Sequence, residues 1–158
     1  MNFKEDLKIK GVVDYSIEWK NGRKEDFTVN NTILRKGRQA LAKVLAGDIG
    51  DEFNFYITRM LFGDGGTLGG VKKYIDASRN GLFGTTRLSK PVISNIDNSV
   101  PEQVNVTTVI RFDELVGVTI NEMATQMANG ELYSMVTFPD LSKTEEMQIT
   151  FNWKFLMI

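Results

Sequence analysis

The 158-residue chain contains no cysteine and no histidine. The first absence excludes disulfides, thiolate metal sites and cysteine nucleophiles. The second removes every Ser-His or Cys-His dyad and the commonest general base near neutral pH. Proline is scarce, with 3 residues. No apolar run approaches the roughly 20 residues that a membrane-spanning helix needs. An excess of one charge is missing too: 19 basic residues face 20 acidic ones, for a net charge of -1. That balance supplies no global field for nucleic acid or an anionic membrane, so neither is expected as a partner. The start, MNFKEDLKIK, lacks the apolar centre of a secretory signal, which points to synthesis in a cytoplasm.

What the chain does have is alternation. From Glu146 to Ile158, Met147, Ile149, Phe151, Trp153, Phe155 and Met157 alternate with Gln148, Thr150, Asn152 and Lys154. A period of two puts the large apolar side chains on one side of a strand, which must lie against a second layer. Near the other end Ile9, Val13, Tyr15, Ile17 and Trp19 repeat the pattern, with Gly11 in the same register. Asn21-Gly22 then predicts a two-residue hairpin turn, and Lys24 to Asn30 a return strand with Phe27 and Val29 facing the core. One helix is expected, near residues 32–46, capped by Asn31 or Thr32 and ended by Gly47. Its apolar side would carry Ile33, Leu34, Gly37, Leu41, Val44 and Leu45, with Lys36, Arg38 and Lys43 in water.

A strand from Phe55 to Phe62 runs into the glycine-rich stretch Gly63 to Gly70. From Gly63 to about Pro101 the pattern is mostly irregular, with a short helix predicted near Lys72 to Ala77. Loops of such length inside a domain usually carry function or are ordered by a partner. The last third reads as antiparallel strands. Val104 to Phe112 is the first, and a tight turn at Glu114 to Gly117 leads to Val118 to Met127. Asn129-Gly130 is a second hairpin signal before Leu132 to Phe138. Pro139 is expected to end that strand, since it has no N–H for a ladder. The whole is expected to be mainly β: a single domain, 1–158, folded as a jelly-roll-like antiparallel β-sandwich with one helix and a long Gly-rich loop.

The candidate chemistry is sparse. FGDGGTLGG is no P-loop, because no Gly-Lys-Ser/Thr follows, and it lacks the strand–turn–helix setting of a dinucleotide fingerprint. It reads as a flexible turn that needs positive φ. Asp64 with Asp48, Asp51 and Glu52 suggests calcium only loosely, because the EF-hand spacing is absent. Glu114, Glu122 and Glu131 are the acids to consider for carboxylate-only hydrolysis, and exposed hairpin charge is the plainer reading of each. Trp19, Phe112, Phe151, Trp153 and Phe155 fall on core faces by period and read as packing rather than stacking platforms. No catalytic, cofactor-binding or metal residue is assigned, and no cofactor is expected.

The order of segments carries a resemblance. A hairpin is followed by NNTILRKGRQALAKVLAG, a strand into LFGDGG and an excursion to TTRLSKPV. VTTVIRFDELVGVTINEMA, NGELYSMVTFPDLSK and MQITFNWKFLMI complete the chain. This layout resembles small structural proteins of tailed bacteriophages, virion accessory subunits of the head, neck or tail. Gly37, Gly63, Gly65, Leu88, Glu122 and the final apolar strand carry the match, which spans roughly Val29 to Ile158. Met123-Ala124 departs from it where a glycine is expected. The resemblance implies a non-catalytic capsid decoration, neck or tail protein located in the virion. It would assemble as a homo-oligomer, with a trimer as one option, beside other virion structural proteins. The alternative is a carbohydrate- or ligand-binding β-sandwich module of a fibre or enzyme.

Overall fold

The computed structural model describes residues 8–50 and 54–157. Strands β1 (Ile9–Trp19) and β12 (Met147–Met157) run antiparallel, pairing Ile9 with Met157 and Trp19 with Met147. Directly opposed residues share a face, so Val13 meets Trp153 and Tyr15 meets Phe151 on the inner side. Val13, Ile149, Phe151 and Trp153 are fully buried there, as the alternation predicts. Ile158 lies outside the described residues. β2 (Lys24–Asn30) flanks β1, while β9 (Gln103–Ile110) and then β8 (Ile93–Ile96) extend the sheet beyond β12. Sheet A thus has the order β2-β1-β12-β9-β8.

Sheet B is built from β3 (Thr32–Ile33), β11 (Leu132–Ser142), β10 (Thr119–Met127), β4 (Ile57–Gly63) and β7 (Thr86–Pro91), in that order. The two antiparallel sheets pack face to face as a sandwich. Phe62 of β4 meets Phe151 with ring centres 4.8 Å apart, and Phe138 of β11 meets Tyr15 at 5.8 Å. Each buried aromatic or aliphatic side chain contributes about 1.5–3 kcal/mol of transfer free energy.

Both seams of the sandwich are bridged by the chain itself. β2, the edge of sheet A, passes through the single residue Asn31 into β3, the edge of sheet B. β7 passes through Val92 into β8 on the opposite side. Asn31 N–H bonds Gly11 O at 3.2 Å, and Val92 N–H bonds Thr58 O at 3.1 Å, so backbone groups stay paired through each corner. Gly11 is needed at the first corner, because a Cβ there would fall on the Asn31 side chain. Strands that bend from one sheet into the other are the usual device for such corners.

Several local expectations change. The Asn21-Gly22 turn is a three-residue loop: Gly22, at φ +90°, donates to Trp19 O, while Trp19 N–H reaches Arg23 O. Gly130 repeats this geometry between Met127 and Glu131. Phe27 is on the inner side, stacked 4.9 Å from Tyr15, yet stays 38% exposed because β2 is an edge strand. Helix α1 spans Arg35–Ala46, not 32–46. Thr32 and Ile33 pair with β11 first, and Leu34 N–H bonds Tyr133 O, which keeps the chain extended up to Leu34. Neither Asn31 nor Thr32 caps the helix, whereas Gly47 closes it at φ +73° as expected. Burial fades along α1. Gly37 is buried, and a Cβ on it would meet Tyr133 O at 2.5 Å, but Val44 and Leu45 are exposed rather than apolar cover.

The stretch from Gly63 to Pro101, expected to be irregular, contains β7, β8 and a small hairpin, β5 (Thr67–Leu68) with β6 (Val71–Lys72). No helix forms at Lys72 to Ala77. Pro139 does not end β11, which continues to Ser142. Between the pairs Glu122↔Thr137 and Ile120↔Leu141 the register slips, and Pro139 sits in that bulge, where a missing N–H does no harm.

Two consequences follow for β12. Trp153→Ala should cost about 3–5 kcal/mol in chemical denaturation, and Asn152→Ala on the outer face within about 1 kcal/mol; equal losses would contradict this register. Removing Phe155 to Ile158 takes away the pairing partners of Gly11 and Val104 and should abolish cooperative folding by calorimetry.

Candidate functional site

The glycine-rich stretch leaves β4 at Gly63 and lies over the outer face of β10. A regular strand points neighbouring side chains to opposite faces. The bulge at Asn121 breaks that alternation, so Asn121 and Glu122 both serve the overlying segment. Glu122 is fully buried. Its carboxylate accepts the backbone N–H groups of Phe83 at 3.0 Å and Gly84 at 2.9 Å. Asn121 accepts from Gly66 N–H at 2.7 Å and donates to Asp140 at 3.0 Å and to the Thr67 hydroxyl at 3.1 Å. Asp64 accepts Thr85 N–H at 2.9 Å and pairs with Arg87 at 3.2 Å. Hydrogen bonds from Thr67 and Asn121 hold the Asp140 carboxyl below the usual carboxylate range.

This polar lock explains the glycines. A Cβ on Gly63 would stand 2.5 Å from the Glu122 carboxylate, one on Gly66 2.3 Å from Asn121 O, and one on Gly65 2.3 Å from Gly84 N. They permit close approach of backbones. None of the three has positive φ, so the reading of FGDGGTLGG as a positive-φ turn is corrected at its first three glycines. Within this stretch positive φ is found at Gly69 and Gly70, at +57° and +79°, the two-residue turn of the β5–β6 hairpin, where the reading holds.

The excursion divides its apolar residues. Ile75, Leu82 and Phe83 fold back with Leu34, Ala124, Leu132 and Met135 into a second core outside sheet B. The Arg79 guanidinium lies 3.6 Å over the Phe83 ring. Leu68 and Val71 are cross-strand partners at the hairpin tip and are 76% and 70% exposed; Tyr74, just beyond, is 86% exposed. The hairpin is tied at its base by Lys73 N–H to Gly66 O at 2.8 Å, by Thr137 to Lys73 O at 3.0 Å and by Thr67 to Asp140 at 2.7 Å. On edge strand β8 Ile93 and Ile96 are exposed on opposite faces of the strand, Ile93 opposite Thr107 and Ile96 opposite Val104. A cleft of about 950 Å³ opens beside α1, lined by Lys8, Lys10, Asn31, Arg38 and Leu41 among others.

The acids weighed from sequence are not brought together. Asp48 follows α1, Asp64 belongs to the lock, and Asp51 and Glu52 lie outside the described residues. Glu131 is exposed and faces Lys36 at 3.6 Å, as a hairpin charge should. Glu122 is not exposed charge at all. Glu114 is half-buried and holds Lys90 at 2.8 Å. Burial alone would raise its pKa, but Lys90, the Arg111 N–H and the charges of both outweigh that and hold it below the usual range. Nearby Lys143 is buried, donates to Phe112 O and Thr144 O, and has its pKa pushed down by desolvation. Among the described residues no group of three or more acids is placed to hold a metal ion. No protein-family model, curated protein or solved structure matches this chain.

The lock is testable by substitution. Glu122→Gln keeps the shape but offers one acceptor to two N–H donors, and should cost about 1–3 kcal/mol; Glu122→Ala leaves both unpaired over a cavity, at about 3–5 kcal/mol. Urea titrations that show either variant as stable as the parent would refute the lock.

The Lys90–Glu114 pair gives a pH dependence. Since the folded-state pKa of Glu114 is depressed, its contribution is present above the unfolded value and is lost as pH falls through the folded one. Melting temperature of the parent should therefore fall more steeply on acidification than that of Glu114→Gln. Parallel curves would mean that the pair adds nothing.

Proposed function

We propose that this chain is a non-catalytic structural subunit of a tailed-phage virion, a capsid decoration, neck or tail accessory protein. It is made in the host cytoplasm and assembles as a homo-oligomer on the particle beside other virion proteins. The observation that carries the reading is the pinned β5–β6 hairpin. A chain that needed only to connect β4 to β7 would leave this segment polar and loose. Here it is folded, tied to the sandwich by a buried carboxylate and an asparagine, and made to display Leu68, Val71 and Tyr74 to solvent. Ordered apolar side chains on a rigid base are what a docking surface requires, because little conformational entropy remains to be lost on binding. The buried or half-buried carboxylates Glu122 and Glu114 are spent on backbone N–H groups and on Lys90, which suits scaffolding rather than proton transfer.

Of the residues that carry the resemblance to phage accessory proteins, Gly63, Gly65 and Glu122 meet in the lock, whereas Leu88, opposite Phe62 on β7, packs against the main core. The jelly-roll-like description rests on the last four strands, with β9 in sheet A, β10 and β11 in sheet B and β12 back in A. A ligand-binding module is the second reading, and the cleft beside α1 is what favours it. Its described lining is cationic and aliphatic, without an aromatic platform, so it suits an anionic group better than a stacked sugar.

Two measurements test the proposal. Sedimentation velocity should give a discrete oligomer, and antibodies against the chain should label purified virions in electron micrographs. A monomer that fails to label particles and is retained by an immobilised glycan would support the module instead.

A further inference from the structure

We propose that the cleft between α1 and the start of β1 binds a small aliphatic carboxylate, of the kind of a medium-chain fatty acid. The site stands apart from the β5–β6 hairpin, so it goes beyond the subunit reading and does not depend on it.

The cleft arises at the Asn31 corner. Pairing between β2 and β1 begins with Val12 opposite Asn30, so the first residues of β1 keep β12 on one side and lack β2 on the other. Helix α1 starts close to the same corner. Its residues Arg38, Leu41, Ala42 and Leu45, three and four apart, share one flank and line the gap. The inner part is aliphatic: Ile33 is buried, while Ile9 and Leu41 are half-buried against the main core. Leu45, 91% exposed, stands at the end of the helical flank. A cleft of about 950 Å³ with an aliphatic lining and a few polar groups suits an alkyl chain with one polar end.

The polar groups select an acid for that end. Two other cations of α1 near the corner are answered, Lys36 by Glu131 at 3.6 Å and Arg35 by nearby Asp76. Arg38 is exposed, has no acid three or four residues away along its helix, and forms no ion pair among the described residues. Lys10, opposite Leu156 on β12, forms none among them either. Asn31 adds an independent observation. Both Oδ1 and Nδ2 of its amide are shut off from water, and among the described residues neither meets a hydrogen-bond partner. Buried polar groups are nearly always paired, so an orphaned amide in the wall of a cleft points to a missing partner. The amide lies in the room that Gly11 leaves by having no Cβ. A turn of this side chain toward the cleft offers Nδ2 to an arriving acceptor. One guanidinium fork and one amide donor match a group with two oxygens and a single charge, which is a carboxylate.

The test titrates octanoate into the full chain at neutral pH, followed by proton–nitrogen NMR. The Asn31 side-chain amide and the backbone amides of Arg38 and Leu41 should shift and saturate together. Octanol, which lacks the charge, and acetate, which lacks the chain, should each bind at least about tenfold more weakly. Arg38→Gln, at an exposed position, should leave circular dichroism and melting as in the parent. It should weaken octanoate at least about tenfold and leave octanol unchanged. Glu5 and Asp6 precede this part of β1 in the sequence and lie outside the described residues, so a control removes their charge. Glu5→Gln with Asp6→Asn should keep octanoate affinity within about twofold; a gain of about tenfold or more would mean that the chain's own acids already answer these cations, and overturns the proposal. Inorganic phosphate or octanol binding as tightly as octanoate overturns it too, as does octanoate binding that ignores Arg38→Gln. Shifts confined to other parts of the molecule, an unmoved Asn31 amide, or no saturable binding do the same, and all of these leave the subunit reading standing.

Discussion

Strand β10 is buried on both of its faces, and much of the molecule is a response to that constraint. Its inner side chains Met123 and Met127 enter the main core, while Asn121, Glu122 and Ala124 look outward and are equally shut off from water. A buried carboxylate without partners would cost several kcal/mol, so something must bring donors to Glu122. The Phe83 and Gly84 N–H groups do this, and they reach β10 only because Gly63, Gly65 and Gly66 carry no side chain. The covering segment is thereby fixed in position. The β5–β6 hairpin at its outer end inherits that rigidity, and its exposed Leu68 and Val71 become a presented surface rather than a mobile tail.

The strands were legible where alternation was strong. β12 and β1 could be read residue by residue, because, Val12 and Leu156 apart, polar residues separate the large apolar side chains. β2 was bounded correctly by Asn-Gly on one side and by Asn30-Asn31 on the other. The corner at Asn31 was not legible, since Thr32 and Ile33 satisfy a helical spacing and a strand equally well. Tertiary pairing with Met135 and Ser134 decided in favour of strand. Pro139 failed as a stop signal for a similar reason: a bulge removes the need for the N–H that proline lacks.

The site was half visible. Length and glycine content mark the segment after Gly63 as special, and Leu68, Val71, Tyr74, Ile75, Leu82 and Phe83 give it more apolar surface than a pure linker needs. The division of those residues was not readable, because Ile75 and Leu82 fold back only by virtue of the surface that Leu34, Ala124 and Met135 make together. Glu122 was weighed as exposed charge because its partners are backbone groups of a distant segment, which no side-chain pattern announces. The Thr-Leu-Gly-Gly-Val-Lys run did carry a signal: two short β-forming pairs around Gly-Gly are a hairpin signature.

The account turns on the excursion being clamped to β10 in the isolated subunit. Hydrogen–deuterium exchange resolved at single amides tests this directly. The Phe83, Gly84 and Gly66 amides, held by Glu122 and Asn121, should exchange as slowly as those of β10 itself. Exchange at the rate of an unstructured peptide at these three amides, with β10 still protected, would contradict the clamp and with it the presented hairpin.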